Sequence, residues 1–124
     1  MKANELTIGD WVRSPKNADG DFYTAQVSEI KQGGEHYYCY IPGPDGNDSI
    51  RCDDLSPVPL TGEILEKNGW RFNDIPFVNG WEQFGLTICG GMILCGQNVV
   101  LDVSAVHKLQ QVLRLCGIEK EIVL

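Results

Sequence analysis

The chain has 124 residues, of which 43% are hydrophobic, an ordinary share for a globular domain. Seventeen acidic residues against ten basic ones give a net charge of −7. The acidity is spread over both halves: residues 1–60 carry ten acids and five bases, and residues 61–124 carry seven and five. Phosphate backbones and anionic membranes are held by clustered Lys and Arg, so this charge disfavours nucleic acid and membrane as partners. A chain of this length buries roughly two thirds of its unfolded surface, enough for a core without staples.

The five cysteines, Cys39, Cys52, Cys89, Cys95 and Cys116, are odd in number and irregular in spacing, a poor disulfide framework. The opening Met1-Lys2-Ala3-Asn4-Glu5 lacks the apolar run of a signal peptide, and no stretch approaches the length of a membrane span. These features predict a cytoplasmic protein with reduced thiols.

The first half reads as strands and turns. Leu6, Ile8 and Val12 are expected to face a core, with Gly9-Asp10 as a turn. Ser14 to Asp21 is a polar loop rich in turn formers. From Phe22 the residues alternate, with Phe22, Thr24, Gln26 and Ser28 on one side and Tyr23, Ala25 and Val27 on the other. An irregularity is expected near Glu29 and Ile30. Gln32-Gly33-Gly34 signals a hairpin, and Glu35 to Ile41 is dense in strand formers. There Tyr38 and Tyr40 share one face, and Tyr37, Cys39 and Ile41 the other. Pro42 to Asp48 is a second turn, and Ser49 to Cys52 a short strand, after which the chain leaves through Pro57 and Pro59. Short strands in this density predict a small barrel over residues 1–56.

The second half, residues 57–124, reads as an α+β subdomain. A helix over about 61–68 is capped by Thr61, with Leu60 and Leu65 as a hydrophobic staple. Gly69 suits the left-handed position after that helix, and Trp70 can fold back on Leu65. A β-meander over about 70–101 follows. It is expected to hold strands at Trp70 to Asn73 and Trp81 to Ile88 around a loop at 73–80, then turns at Gly90-Gly91 and Gly96 to Asn98. Asp102 or Ser104 then caps a helix over about 104–116, with Val106, Leu109, Val112, Leu113 and Cys116 as its apolar stripe. Gly117 stops it, with Ile118 against Leu113, and Glu121 to Leu124 is expected to form a last strand. The fold class expected is α+β, both parts packing as one unit.

Three stretches carry a resemblance. MKANELTIGDWV, PVPLTGEILEKNGW and VHKLQQVLRLCGIEKEI resemble segments of small uncharacterised proteins encoded by phages and mobile elements of gut bacteria. Arg114 departs from the apolar or aromatic residue expected there. The resemblance implies an order of elements and a genomic setting, and carries no function. Separately, Ile8-Gly9-Asp10-x-Val12 followed by strand, turn and strand is similar to SH3-like barrels of the Tudor or KOW type.

The strongest candidate site is aromatic. Trp11, Phe22, Tyr23, Tyr37, Tyr38 and Tyr40 fall in the barrel segment, and exposed rings bind peptides or cations by stacking and cation–π contact. The alternative is that they fill the core. Trp11, Tyr38, Tyr40 and His107 are taken as candidate binding residues for an unknown protein partner or a second copy of the chain. A metal is not expected: zinc sites present close pairs such as C-x-x-C, and Cys89 and Cys95 are too widely spaced. Cys39 and Cys52 could still meet on adjacent strands, with His36 near. No cofactor is expected, since the glycines lack the lysine of a phosphate loop. The leading function is a non-enzymatic protein-binding or adaptor role. A small hydrolase or cysteine-based enzyme using His107 is the second reading, with Asp102, Cys95 or Cys116 as partner. A nucleic-acid-binding barrel using Lys2, Arg13, Lys16, Lys31 and Arg51 is the third.

Overall fold

The computed structural model describes residues 1–15, 22–43, 46–75, 78–95 and 99–124. It divides into two compact units, Met1–Val58 and Pro59–Leu124. Both are built mainly of antiparallel sheet, and two α-helices lie in the second, an α+β composition.

In the first unit a 3-10 turn at Ala3–Glu5 precedes β1 (Trp11–Pro15). The Gly9-Asp10 turn forms as the sequence predicts. Gly9 has a φ of 94°, and the fully buried Asp10 carboxylate accepts the Thr7 amide at 2.8 Å. Leu6 and Val12 are buried, but Ile8 is 60% exposed, because the turn rotates it out of the core face. Ser14 and Pro15 belong to β1, and the remainder of the expected polar loop lies outside the described residues.

The next run is broken into β2 (Phe22–Gln26) and β3 (Glu29–Gly33). The break is the irregularity expected from the pattern. Val27 donates its amide to Asp10 O at 2.9 Å, while the next residue, Ser28, donates to Tyr40 O at 2.8 Å. Successive amides therefore serve different sheets. Before the bend Ala25 and Val27 point inward; after it the inward positions shift, and Ile30 comes opposite the buried Cys39.

β4 (His36–Gly43) and β5 (Gly46–Arg51) form a longer hairpin than predicted: Pro42, Asn47 and Asp48 are strand residues. Residues 44–45 lie outside the described set. A 3-10 turn at Cys52–Asp54 leads to β6 (Ser56–Pro57), which pairs with β1 through Val12 and Pro57. The sheets are ordered β2-β1-β6 and β3-β4-β5. For the small barrel expected over residues 1–56, the described strands form two three-stranded sheets, and neither closes on itself. Leu6, Val12, Ala25, Val27, Cys39, Ile41, Cys52 and Leu55 are the buried core between the sheets.

The second unit opens with α1 (Gly62–Lys67). The Thr61 hydroxyl accepts the Ile64 amide at 3.3 Å. Gly69 has a φ of 87°, and Trp70 donates its amide to Leu65 O at 3.0 Å, with both side chains buried. This is the Schellman stop read from the sequence. A five-stranded meander follows in chain order: β7 (Arg71–Ile75), β8 (Val78–Gln83), β9 (Leu86–Cys89), β10 (Met92–Cys95) and β11 (Val99–Asp102). The expected strand from Trp81 to Ile88 is in fact a hairpin, because Phe84 and Gly85 take left-handed φ values of 55° and 74°. The expected loop at 73–80 shrinks, with only residues 76–77 outside the described set, as are 96–98 of the later turn. One face of the sheet buries Leu86, Ile88 and Ile93, while Met92 and Leu94 alternate onto the other and stay exposed.

α2 (Val106–Leu115) is capped by neither Asp102 nor Ser104. Its N-cap is Ala105, whose backbone bridges to Pro59. Asp102 instead accepts the Ser104 amide at 2.8 Å and Lys108 Nζ at 2.8 Å. Val106, Leu109, Val112 and Leu113 are buried as the stripe predicts. Cys116 is exposed, because it has passed beyond the last helical turn. Gly117 has a φ of 71°, and Ile118 donates its amide to Leu113 O at 2.8 Å. The expected final strand is absent: Glu121 to Leu124 has no ladder partner and is held by the side chains of Asn68, at Val123, and Lys67, which donates to Leu124 O at 2.6 Å.

Candidate ligand-binding site

A cavity of about 600 Å³ opens in the first unit where the inner faces of β3 and β4 run out. Three segments line it. Lys2, Ala3 and Asn4 come from the opening 3-10 turn; Ile30, Glu35, His36 and Tyr37 from the β3–β4 hairpin; Cys52 and Asp53 from the second 3-10 turn. Backbone hydrogen bonds and one glycine turn set these segments. The Met1 amino group donates to Cys52 O at 2.9 Å and Leu55 O at 3.0 Å, which fastens one 3-10 turn to the other. Gly34, with a φ of 65°, makes the hairpin turn that presents Glu35 and His36.

The lining divides by chemistry. Ala3, Ile30, Tyr37 and Cys52 supply apolar surface, and Lys2, Asn4, Glu35, His36 and Asp53 supply polar groups. Arg51 ties part of the rim together. Its Nη2 lies 3.0 Å from His36 Nδ1 and 3.5 Å from Asp53 Oδ2. A guanidinium only donates, so Nδ1 of His36 accepts in this arrangement.

Beneath the cavity the Cys39 and Cys52 thiols are 2.8 Å apart, both buried. They meet as the strand pattern allowed, but His36 turns to Arg51 and completes no metal set with them. Among the described residues no group of three or more His, Cys, Asp or Glu side chains converges on a common point. Burial, and then the hydrogen bond shared with Cys52, pushes the Cys39 thiol up to about 12.

The residues singled out from the sequence lie elsewhere. Trp11 is half-buried on β1, opposite Gln26. Tyr38 and Tyr40 are half-buried on the outward face of β4, opposite Lys31 and Glu29. Lys31 Nζ sits 5.4 Å from the centre of the Tyr40 ring and 3.1 Å from Glu29 Oε1, so the chain supplies its own cation there. Arg13 does the same for Phe22, at 4.7 Å. His107 is buried in α2 of the second unit, and it is not among the cavity's lining residues. Of the cations a nucleic-acid face would need, Lys31 and Arg51 are each paired with a carboxylate, and Lys16 is outside the described residues.

Sequence reasoning placed Tyr37 on the core face with Cys39 and Ile41. The face is right, but Tyr37 is near the strand end, past the core, and is 47% exposed at the cavity. No local signal marks Lys2 to Asn4 as lining, because their role depends on contacts about fifty residues away in the chain. No protein-family model, curated protein or solved structure matches the chain. No helix among the described residues is long and apolar enough to cross a membrane.

Proposed function

We propose that this is a non-enzymatic binding protein whose first unit is an SH3-like barrel of the partly open kind, and whose cavity takes one apolar side chain of a partner protein. Three features support the barrel. The strand order runs β6-β1-β2 and then β3-β4-β5, the strand bends at Val27-Ser28 between the two sheets, and a 3-10 turn precedes the strand that returns to β1. A cytoplasmic adaptor of a mobile element is consistent with the resemblance described above and with the five free thiols.

The observation that carries the binding reading is the cavity itself. Its volume lies within the usual range for ligand sites, and its apolar lining beside a charged rim is the usual division of labour between affinity and orientation. Glu35, on the rim of an acidic unit, favours a partner segment in which the apolar side chain is flanked by Lys or Arg.

An array of short peptides with a central Leu or Phe and basic flanks tests this. Binding is expected with the intact protein, to be lost in Tyr37→Ala and kept in Tyr38→Ala. Loss in Tyr38→Ala with none in Tyr37→Ala moves the site to the outer face of β4 and ends the cavity reading.

A further inference from the structure

We infer that Cys39 and Cys52 form a peroxide-sensitive thiol pair that closes to a disulfide beneath the cavity. The inference stands independently of what the cavity binds. Cys39 lies on β4, opposite Ile50, and Cys52 begins the 3-10 turn two residues beyond Ile50. The backbone thus sets the two cysteines diagonally across a hairpin, and their sulfurs stand 2.8 Å apart. A disulfide requires about 2.0 Å, a closure of less than an ångström.

The two cysteines differ in access. Cys39 is fully buried, whereas Cys52, though only 2% exposed, is a lining residue of the cavity. Hydrogen peroxide is little larger than water and can enter a space of about 600 Å³. Cys52 is therefore the first to react. Its thiolate attacks one peroxide oxygen, the O–O bond breaks, and the departing hydroxide takes up the thiol proton as water, leaving a sulfenic acid on Cys52. The Cys39 sulfur then attacks the Cys52 sulfur. The S–O bond breaks, and the leaving hydroxide accepts the Cys39 proton as a second water. Two thiols are oxidised by two electrons, and one peroxide is reduced to two waters. Burial disfavours the Cys39 thiolate, so Cys39 is not the first to attack; in the second step its proton is given up to the departing hydroxide as the S–S bond forms.

The exposed Cys89 and the hydrogen-bonded thiols of Cys95 and Cys116 would confuse the readout, so the test removes them. In the Cys89→Ser, Cys95→Ser, Cys116→Ser protein, peroxide is expected to abolish alkylation of both remaining thiols after denaturation. The mass should fall by two hydrogens, no oxygen should be gained, and dithiothreitol should reverse the change. Adding Cys39→Ser should leave Cys52 as a sulfenic acid that a 1,3-dione traps.

Should the multiple variant not fold, the unmodified protein serves. Lys31, Arg51 and Lys67 place the two cysteines on separate tryptic peptides, 32–51 and 52–67, which peroxide should join. The inference is overturned if these two peptides stay unlinked and fully alkylated at a peroxide dose that consumes Cys89, or if Cys52 gains oxygen without linking to Cys39.

Discussion

The Tyr23 hydroxyl donates to Asp48 Oδ2 at 2.8 Å and so joins β2 of one sheet to β5 of the other. The two residues are 25 apart in the chain, and the bond spans two sheets that share no ladder. Burial, and then the neighbouring Asp48 carboxylate, raise the Tyr23 phenol above its ordinary 10.0. The neutral phenol is the form the fold favours. Its contribution is complete below pH 10 and is lost as pH rises through the higher folded value. Tyr23→Phe is expected to cost about 1 kcal/mol at neutral pH, a charge-assisted hydrogen bond discounted for partial exposure. The same variant should flatten the alkaline limb of a melting-temperature profile above pH 10. An unchanged limb would mean that the bond does not persist in solution.

Asn68 closes the second unit. Its amide donates to Ile64 O and Val123 O, both at 2.7 Å, and its carbonyl accepts the Val123 amide at 2.8 Å. One buried side chain thereby ends α1 and holds the last residues, with Ile122 buried beside them in sequence. Asn68→Ala should cost about 2 kcal/mol, because it removes three part-buried hydrogen bonds made by one buried side chain. Hydrogen exchange should show residues 121–124 opening in this variant well before the sheet does.

Asp102 is held well below its ordinary 3.8, at about 2, first by Lys108 and then by the Ser104 amide. A depressed folded value means that the stabilisation is present above pH 3.8 and disappears as pH falls towards 2. Asp102 is open to solvent, so the effect is small and screened by salt. Acid titration of Asp102→Asn should lack this component, and the difference from the parent protein should shrink as salt is added.

Gly80 has no room for a side chain. A Cβ there would stand 2.7 Å from the Ile88 carbonyl oxygen on the neighbouring strand. Since the obstacle is backbone, Gly80→Ala should force β8 and β9 apart and cost roughly 1–3 kcal/mol by chemical denaturation. A neutral outcome would show that the two strands are less closely paired than described.

The parts legible in the sequence share one property: their determinants lie within a few residues of one another. Thr61, Gly69 and Trp70 fix both ends of α1 through neighbours on the same turn. Gly117 and Ile118 end α2 in the same way. Where reading failed, the deciding partner was elsewhere. Phe84 looked like a strand residue because aromatics favour strands, yet it takes a φ of 55° and its ring meets Trp70 edge-on at 6.3 Å.

The acidic charge, the α+β composition and the change of character near Pro57–Pro59 are properties of the sequence alone, because they depend on composition and local periodicity. The site is not. The aromatic residues that drew attention in the sequence, Tyr38 and Tyr40, lie on an outer strand face, where Lys31 sits over the Tyr40 ring. The cavity arises from Lys2, Tyr37 and Cys52, which only the folding of the hairpin against the two 3-10 turns brings together. Strand alternation says which face a side chain takes, but not where along the strand the core ends. At Tyr37 that end point decides between filling the core and lining the cavity.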